Sequence, residues 1–305
     1  NYNNVKQGEK DFEKDEGETV ITGESDKNTV TIDTSEGNVD VTFDDLKIDV
    51  SGKKEGDGSD DSPAQESKAA VTVQGDHDAA IELDGANELK SSSHNAGLEK
   101  NDERSEDGKT ISGKLTIKDD NDTKGSLTAE GGEGGAGIGG GYESGAGNIE
   151  ITGGTVEAVG GEGAAGIGGG VYGPGRDIEI SGGKVSATGG SYSGDPRPGA
   201  AGIGDGAGRA SDDTDDPNPG DLYICGDAEV TAKAGSQMTD AKAPAIGGSY
   251  GEVPTENLSD DEHKVTGGRL TRLNADGTVM EGMGYDYTST PKPQPDDDED
   301  DDDDE

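Results

Sequence analysis

The chain is expected to fold as an all-β, right-handed parallel β-solenoid of short strands with glycine corners, and three observations carry that expectation. The first is composition. Of 305 residues only 26% are hydrophobic and 3% aromatic, with no Trp, 55 Gly and a formal net charge of −43. A compact globule of this length draws on about 45–50% apolar residues with Gly near about 7%, so one thick core cannot be filled. Low hydrophobicity with high charge gives disorder unless a repeat assembles a thin core layer by layer. The second observation is that such a repeat exists: short apolar phrases return in a fixed order, separated by glycines. The third is that no window keeps a 3.6-residue period without being cut by Gly, which argues against helix.

Residues 1–18 are polar and charged, with only Tyr2, Val5 and Phe12 as anchors, and read as a lead-in. Residues 19–114 read as an N-terminal cap and irregular β-coils, in which Val71-Thr72-Val73-Gln74-Gly75 looks like a loose copy of the repeat's first phrase. Residues 115–287 are the glycine-rich repeats. Their first phrase is Leu115-Thr116-Ile117, then Ile149-Glu150-Ile151, Ile178-Glu179-Ile180, Leu222-Tyr223-Ile224 and Lys264-Val265. The second is Val156-Glu157-Ala158, Val185-Ser186-Ala187, Val230-Thr231-Ala232 and Leu270-Thr271-Arg272. The third is Ala136-Gly137-Ile138, Ala165-Gly166-Ile167, Ala201-Gly202-Ile203 and Ala245-Ile246-Gly247, with weaker forms at Ala96-Gly97-Leu98 and Gly282-Met283-Gly284. Ile149 to Ile178 is a step of 29 residues, and longer steps carry loops at 191–199 and 205–221. A unit this small cannot bury its own apolar face, so units must stack. Residues 288–305 read as a Pro-rich linker followed by a disordered acidic tail.

The glycine phrase around 131–139 is in phase with the calcium-binding nonapeptide G-G-x-G-x-D-x-U-x, but Ala136 and Ala165 stand where the Asp ligand belongs. Calcium needs about 6–8 oxygen ligands, so these corners read as dry turns. No cofactor is expected. The acidic loops 55–61 and 205–221 offer at most weak Ca2+ association, and no specific metal set stands out: His77, His94 and His263 fall in different units without zinc spacing. Strong negative charge disfavours nucleic acid and anionic membrane surfaces, and no apolar run approaches the length of a membrane span. The lone Cys225 takes the place of Thr152 and Ser181 and reads as a small corner residue.

Between Leu115 and Gly248 the chain resembles a family of secreted and surface-attached bacterial proteins that repeat I-x-I-x-G-G-x-V-x-A and A-G-I-G-G-G phrases, the carbohydrate-binding-domain proteins. Leu83-Asp84-Gly85-Ala86-Asn87-Glu88-Leu89, then Asn95-Ala96-Gly97-Leu98, looks like that family's entry into the repeats. The resemblance spans roughly residues 18–285 and implies an extracellular, cell-surface module whose partner is a polysaccharide or host-surface glycan. The acidic insert 212–216, and Asp205 in place of a Gly of the third phrase, depart from the pattern.

Two constellations could carry chemistry. Between the inward residues of the first phrase lies an outward ladder, Thr72, Thr116, Glu150, Glu179 and Tyr223, in which Glu150 and Glu179 would be stacked carboxylates, a solvated pair unless a groove desolvates them. Their alternative role is glycoside cleavage. The second constellation is aromatic: Tyr142, Tyr172, Tyr250 and Tyr285 each follow a glycine phrase, so they would line one edge as a broken ladder. Flat rings with a hydroxyl suit sugar faces. The expected function is therefore a non-enzymatic glycan-binding or adhesive module, with a structural spacer as the alternative.

Overall fold

In the computed structural model the described residues are 4–7, 10–11, 19–52, 67–103, 111–193, 199–208, 222–236, 243–248, 251–252, 263–265, 267–280 and 285–286. Among them there is no helix. The chain winds as a parallel β-solenoid with three strand columns. Loops 55–61 and 212–216, Tyr250, Gly282-Met283-Gly284 and residues 288–305 lie outside the described residues.

The first column runs through the front of strand Val39–Asp49, the front of Ala79–Lys90, then Leu115–Lys118, Ile149–Ile151, Ile178–Ile180, Leu222–Ile224 and His263–Val265, each parallel to the next. The second runs from the back of Ala79–Lys90 through Gly125–Glu130, Thr155–Val159, Lys184–Thr188, Glu229–Lys233 and Arg269–Leu273. The third is Val30–Asp33, Val71–Gln74, Leu98–Glu99, Ile138–Gly139, Ile167–Gly168, Ile203–Gly204 and Ile246–Gly248. Strand Ala79–Lys90 serves two columns because it bends at Gly85, which has φ +64, a left-handed conformation that glycine adopts without strain.

Period-2 alternation turns a single apolar residue, or two, from each strand inward. Val71, Leu98, Ile138, Ile167, Ile203 and Ile246 form one fully buried file down the third column, and Ile81, Ile117, Ile151, Ile180 and Ile224 another down the first. The second column adds Leu127, Val156, Val185, Val230 and Leu270, with Ala129, Ala158, Ala187 and Ala232 as its small inner partners. A core one side chain thick per coil explains how so little hydrophobic residue suffices. Ala136, Ala165 and Ala201 are completely buried, and each donates its N–H across its turn, to Gly140, Gly169 and Asp205 carbonyls at 3.0, 3.0 and 3.1 Å. The corners are dry.

Several buried residues are polar or charged, and Asn87, Lys100 and Asp205 are three of them. Asn87 occupies the file of Leu127 and is 2% exposed; its Oδ1 accepts from Leu46 N at 2.9 Å, and its Nδ2 donates to the carbonyls of Asp84 and Ser126 at 3.0 Å each. Lys100 and Asp205 lie in one backbone file on either side of Gly140 and Gly169, and both are buried. Asp205 Oδ1 accepts from Gly175 N at 2.9 Å.

One expectation is corrected. Val71-Thr72-Val73 is not a copy of the first phrase: its strand pairs with Val30–Asp33 and Leu98–Glu99 and belongs to the third column. The first-column strand of that coil begins at Ala79, whose small residues Ala79 and Ala80 hide the pattern. Ala80, not Thr72, therefore precedes Thr116 in the outward ladder, which continues through Glu150 and Glu179 to Tyr223.

Candidate functional site

The corner beside the third column is where the exposed aromatic rings gather. Backbone bonds from each turn to the next coil set the register: His94 N to Glu133 O at 2.7 Å, Gly134 N to Glu162 O at 3.1 Å and Gly163 N to Ser191 O at 2.7 Å stack His94, Gly134, Gly163 and Tyr192 in one file. Across the neighbouring turn, Tyr142 N donates to His94 O at 2.8 Å, Glu143 N to Val171 O at 2.9 Å and Tyr172 N to Ala207 O at 2.9 Å. Tyr142 thus aligns with Val171 and Ala207, while Tyr172 aligns with Glu143 and Gly208.

That register corrects the expected ring ladder. Tyr142 and Tyr172 come together, but one position out of step, so their rings meet edge to face at 5.9 Å and 89° instead of stacking flat. His94 adds a further edge contact to Tyr142 at 4.9 Å, and the Tyr172 and Tyr192 hydroxyls lie 3.4 Å apart. Tyr142 is 38% and Tyr172 40% exposed. Glycine makes the room: a Cβ on Gly134 would lie 2.7 Å from the Tyr142 ring, and one on Gly163 2.8 Å from the Tyr192 ring. Tyr172, Glu143 and Gly208 all have positive φ, of +64, +58 and +78. A bulky residue in that region is strained by about 1–3 kcal/mol.

Of the other two expected tyrosines, Tyr285 does not join this edge. Tyr285 lies on strand Tyr285–Asp286, which pairs antiparallel with Leu270 at the end of the second column, because the chain there reverses instead of winding another coil. Tyr250 lies outside the described residues, between strands Ile246–Gly248 and Gly251–Glu252, which pair antiparallel. Sequence reasoning missed His94 and Tyr192. Their signal is alignment: Gly189-Gly190-Ser191-Tyr192 replaces Gly160-Gly161-Glu162-Gly163, and Ser92-Ser93-His94-Asn95 replaces Gly132-Glu133-Gly134-Gly135.

The turn beneath Tyr142 is held by a polar group of its own. Asn101 Oδ1 accepts from Gly141 N at 2.9 Å, and Glu99 accepts from Ala96 N at 3.2 Å and from Asn101 Nδ2 at 3.3 Å. Burial pushes the Glu99 carboxyl up, against the opposing pull of those two hydrogen bonds.

The outward carboxylates of the first column form a separate site. Glu150 and Glu179 are direct register partners, and with Lys114, Asn148, Asp177 and Tyr223 they line a hollow of about 160 Å3. Glu150 is committed, receiving Lys114 Nζ at 3.2 Å and Thr116 Oγ1 at 3.0 Å. Cys225 stacks in the file of Thr152 and Ser181, with Sγ 3.9 Å from Glu179 Oε1. Burial, then the Glu179 and Glu150 charges, push its thiol up, so the thiolate a nucleophile needs is disfavoured. Among the described residues no three metal-binding side chains cluster.

No curated protein and no solved structure matches the chain. A family model described as Beta helix repeat matches residues 123–142, 149–171 and 178–207, three stretches that follow the coil period and include Tyr142. Over these stretches the chain is similar to that family, and its centre is built of β-helix repeats.

Proposed function

We propose that the chain is a non-enzymatic, extracellular or cell-surface module that holds a polysaccharide along the aromatic corner. The observation that carries this reading is the placement of Tyr172: a large ring is kept 40% exposed on a left-handed backbone, beside a second exposed ring, where the next coil uses Gly208. A corner needing only a turn has no use for that strain. Edge-to-face rings present two faces at right angles, with hydroxyls of Tyr172 and Tyr192 between coils to orient a sugar. Each contact is weak, so affinity grows with polymer length as contacts add along the coils. Binding of long polysaccharides measured by calorimetry should fall at least about tenfold in the Tyr142→Ala/Tyr172→Ala variant, a loss of two stacking contacts. Tyr2→Ala, outside the repeats, should leave it unchanged. Equal affinity in a folded double variant would move the site elsewhere, and binding to no glycan on a broad array would favour a structural spacer.

A second reading, glycan cleavage by Glu150 and Glu179, is favoured by the hollow they share. It is opposed by the Lys114 and Thr116 contacts that occupy Glu150. Release of reducing sugar that disappears in Glu179→Gln would establish it.

A further inference from the structure

The segment that carries Tyr142 and Tyr172 is one-sided in charge, with Lys118, Lys124 and Arg176 of the same two coils lying just outside it. Residues 125–175 contain six glutamates and neither lysine nor arginine. Three of the six, Glu133, Glu143 and Glu162, are exposed at the aromatic corner. Glu133 and Glu162 directly precede Gly134 and Gly163, the two glycines of the His94 file, and Glu143 shares the left-handed file of Tyr172. Glu162 accepts a hydrogen bond from the Ser193 hydroxyl. Among the described residues none of the three has an ion-pair partner, unlike Glu82, Glu88, Glu130 and Glu150, which meet lysines elsewhere on the solenoid. Desolvation by its neighbours, then the Glu143 charge, push the Tyr142 phenol above its usual value, so that ring stays neutral.

An anionic glycan would meet like charge here, and a neutral one would gain ring stacking alone. A sugar bearing an ammonium gains ring stacking, cation–π attraction and carboxylate partners together. We infer that the corner selects a polycationic amino glycan, a polymer of glucosamine with free amines; this rests on the glycan reading above. A basic peptide would satisfy the charge but brings no flat sugar face to the perpendicular rings.

The test compares a glucosamine hexamer with the N-acetylglucosamine hexamer by calorimetry on the full chain at low salt. The free amine should bind about tenfold tighter, the sum of a few exposed cation contacts, and the advantage should collapse at high salt as screening shortens. Glu133→Gln/Glu143→Gln should erase the preference while leaving the acetylated hexamer's affinity in place, and Tyr142→Ala should weaken both. Equal affinity for the two hexamers overturns the charge selection and leaves the glycan edge standing. Binding of neither overturns both. Poly-lysine binding as tightly as the glucosamine hexamer, with Tyr142→Ala without effect on either, reduces the preference to bulk charge attraction and overturns the inference.

Discussion

Replacing Asn87 with Leu tests what locks the strand that serves two faces. Transfer alone favours the change: Asn87 sits in a file continued by Leu127 and Val156, and burying a Leu there gains about 1.5–3 kcal/mol. The amide, however, answers three backbone groups, the Leu46 N–H and the carbonyls of Asp84 and Ser126. They belong to three successive passes of the chain. Leu leaves all three without this partner in a site 2% exposed, and each buried unmet group costs about 1–3 kcal/mol. The balance is an expected loss of about 2–4 kcal/mol. Asn87→Asp should lose more, because the oxygen that replaces the Nδ2 amide faces two carbonyls. Urea unfolding followed by circular dichroism reads the total. Native-state hydrogen exchange at the Leu46 amide reads the local part, which matters because stability in a stack of coils is a sum of neighbour terms. An unmoved or raised midpoint in Asn87→Leu, with the Leu46 amide still protected, would refute this account of the bend.

Ala136→Val and Ala165→Val should each destabilise by about 1–3 kcal/mol through overpacking at fully buried turns, and an unmoved denaturation midpoint would mean the turns are open to solvent. Lys100→Met should raise the melting temperature at neutral pH, by the equivalent of about 1–2 kcal/mol. Burial pushes the Lys100 ammonium below its usual value, outweighing the pull of Asp102, Glu103 and Asp78, and among the described residues Nζ has no hydrogen-bond partner. The folded state therefore holds fewer protons than the unfolded one between that lowered value and 10.5, so wild-type stability climbs with pH across this window. The advantage of Lys100→Met should narrow over the same window, and a variant less stable at every pH would show that the ammonium is well held.

The coil register of the central repeats was legible because Ile149 and Ile178 are 29 residues apart with the same phrase at each, and the structure pairs them directly. Where the phrase degrades the register was not legible. Val71-Thr72-Val73 mimics one column and occupies another, since pairing is decided by which strand closes the coil and not by local likeness. The candidate site was legible in part. Tyr142 and Tyr172 were visible as a pair, but their offsets from Ile138 and Ile167 differ by one residue, and in a stack one residue moves a side chain to another file. Burial of Lys100 in a glycine file left no mark in sequence, because a lysine after Leu98-Glu99 looks like any solvated charge.

Three ladder ends of the solenoid carry reversed strands. Asn4–Gln7 lies antiparallel on Val30–Asp33, Gly251–Glu252 on Ile246–Gly248, and Tyr285–Asp286 on Arg269–Leu273. Antiparallel and parallel ladders space their hydrogen bonds differently, so a further parallel coil, whether from a longer array or a second molecule, finds no matching template at these rungs. Strand Thr19–Ser25, which closes the remaining N-terminal edge, is Thr, Gly, Glu and Ser except for Val20 and Ile21, and is largely exposed. Among the described residues the first column still ends on the parallel strand His263–Val265, so further stacking is blunted at the reversed rungs and left with one matching edge there.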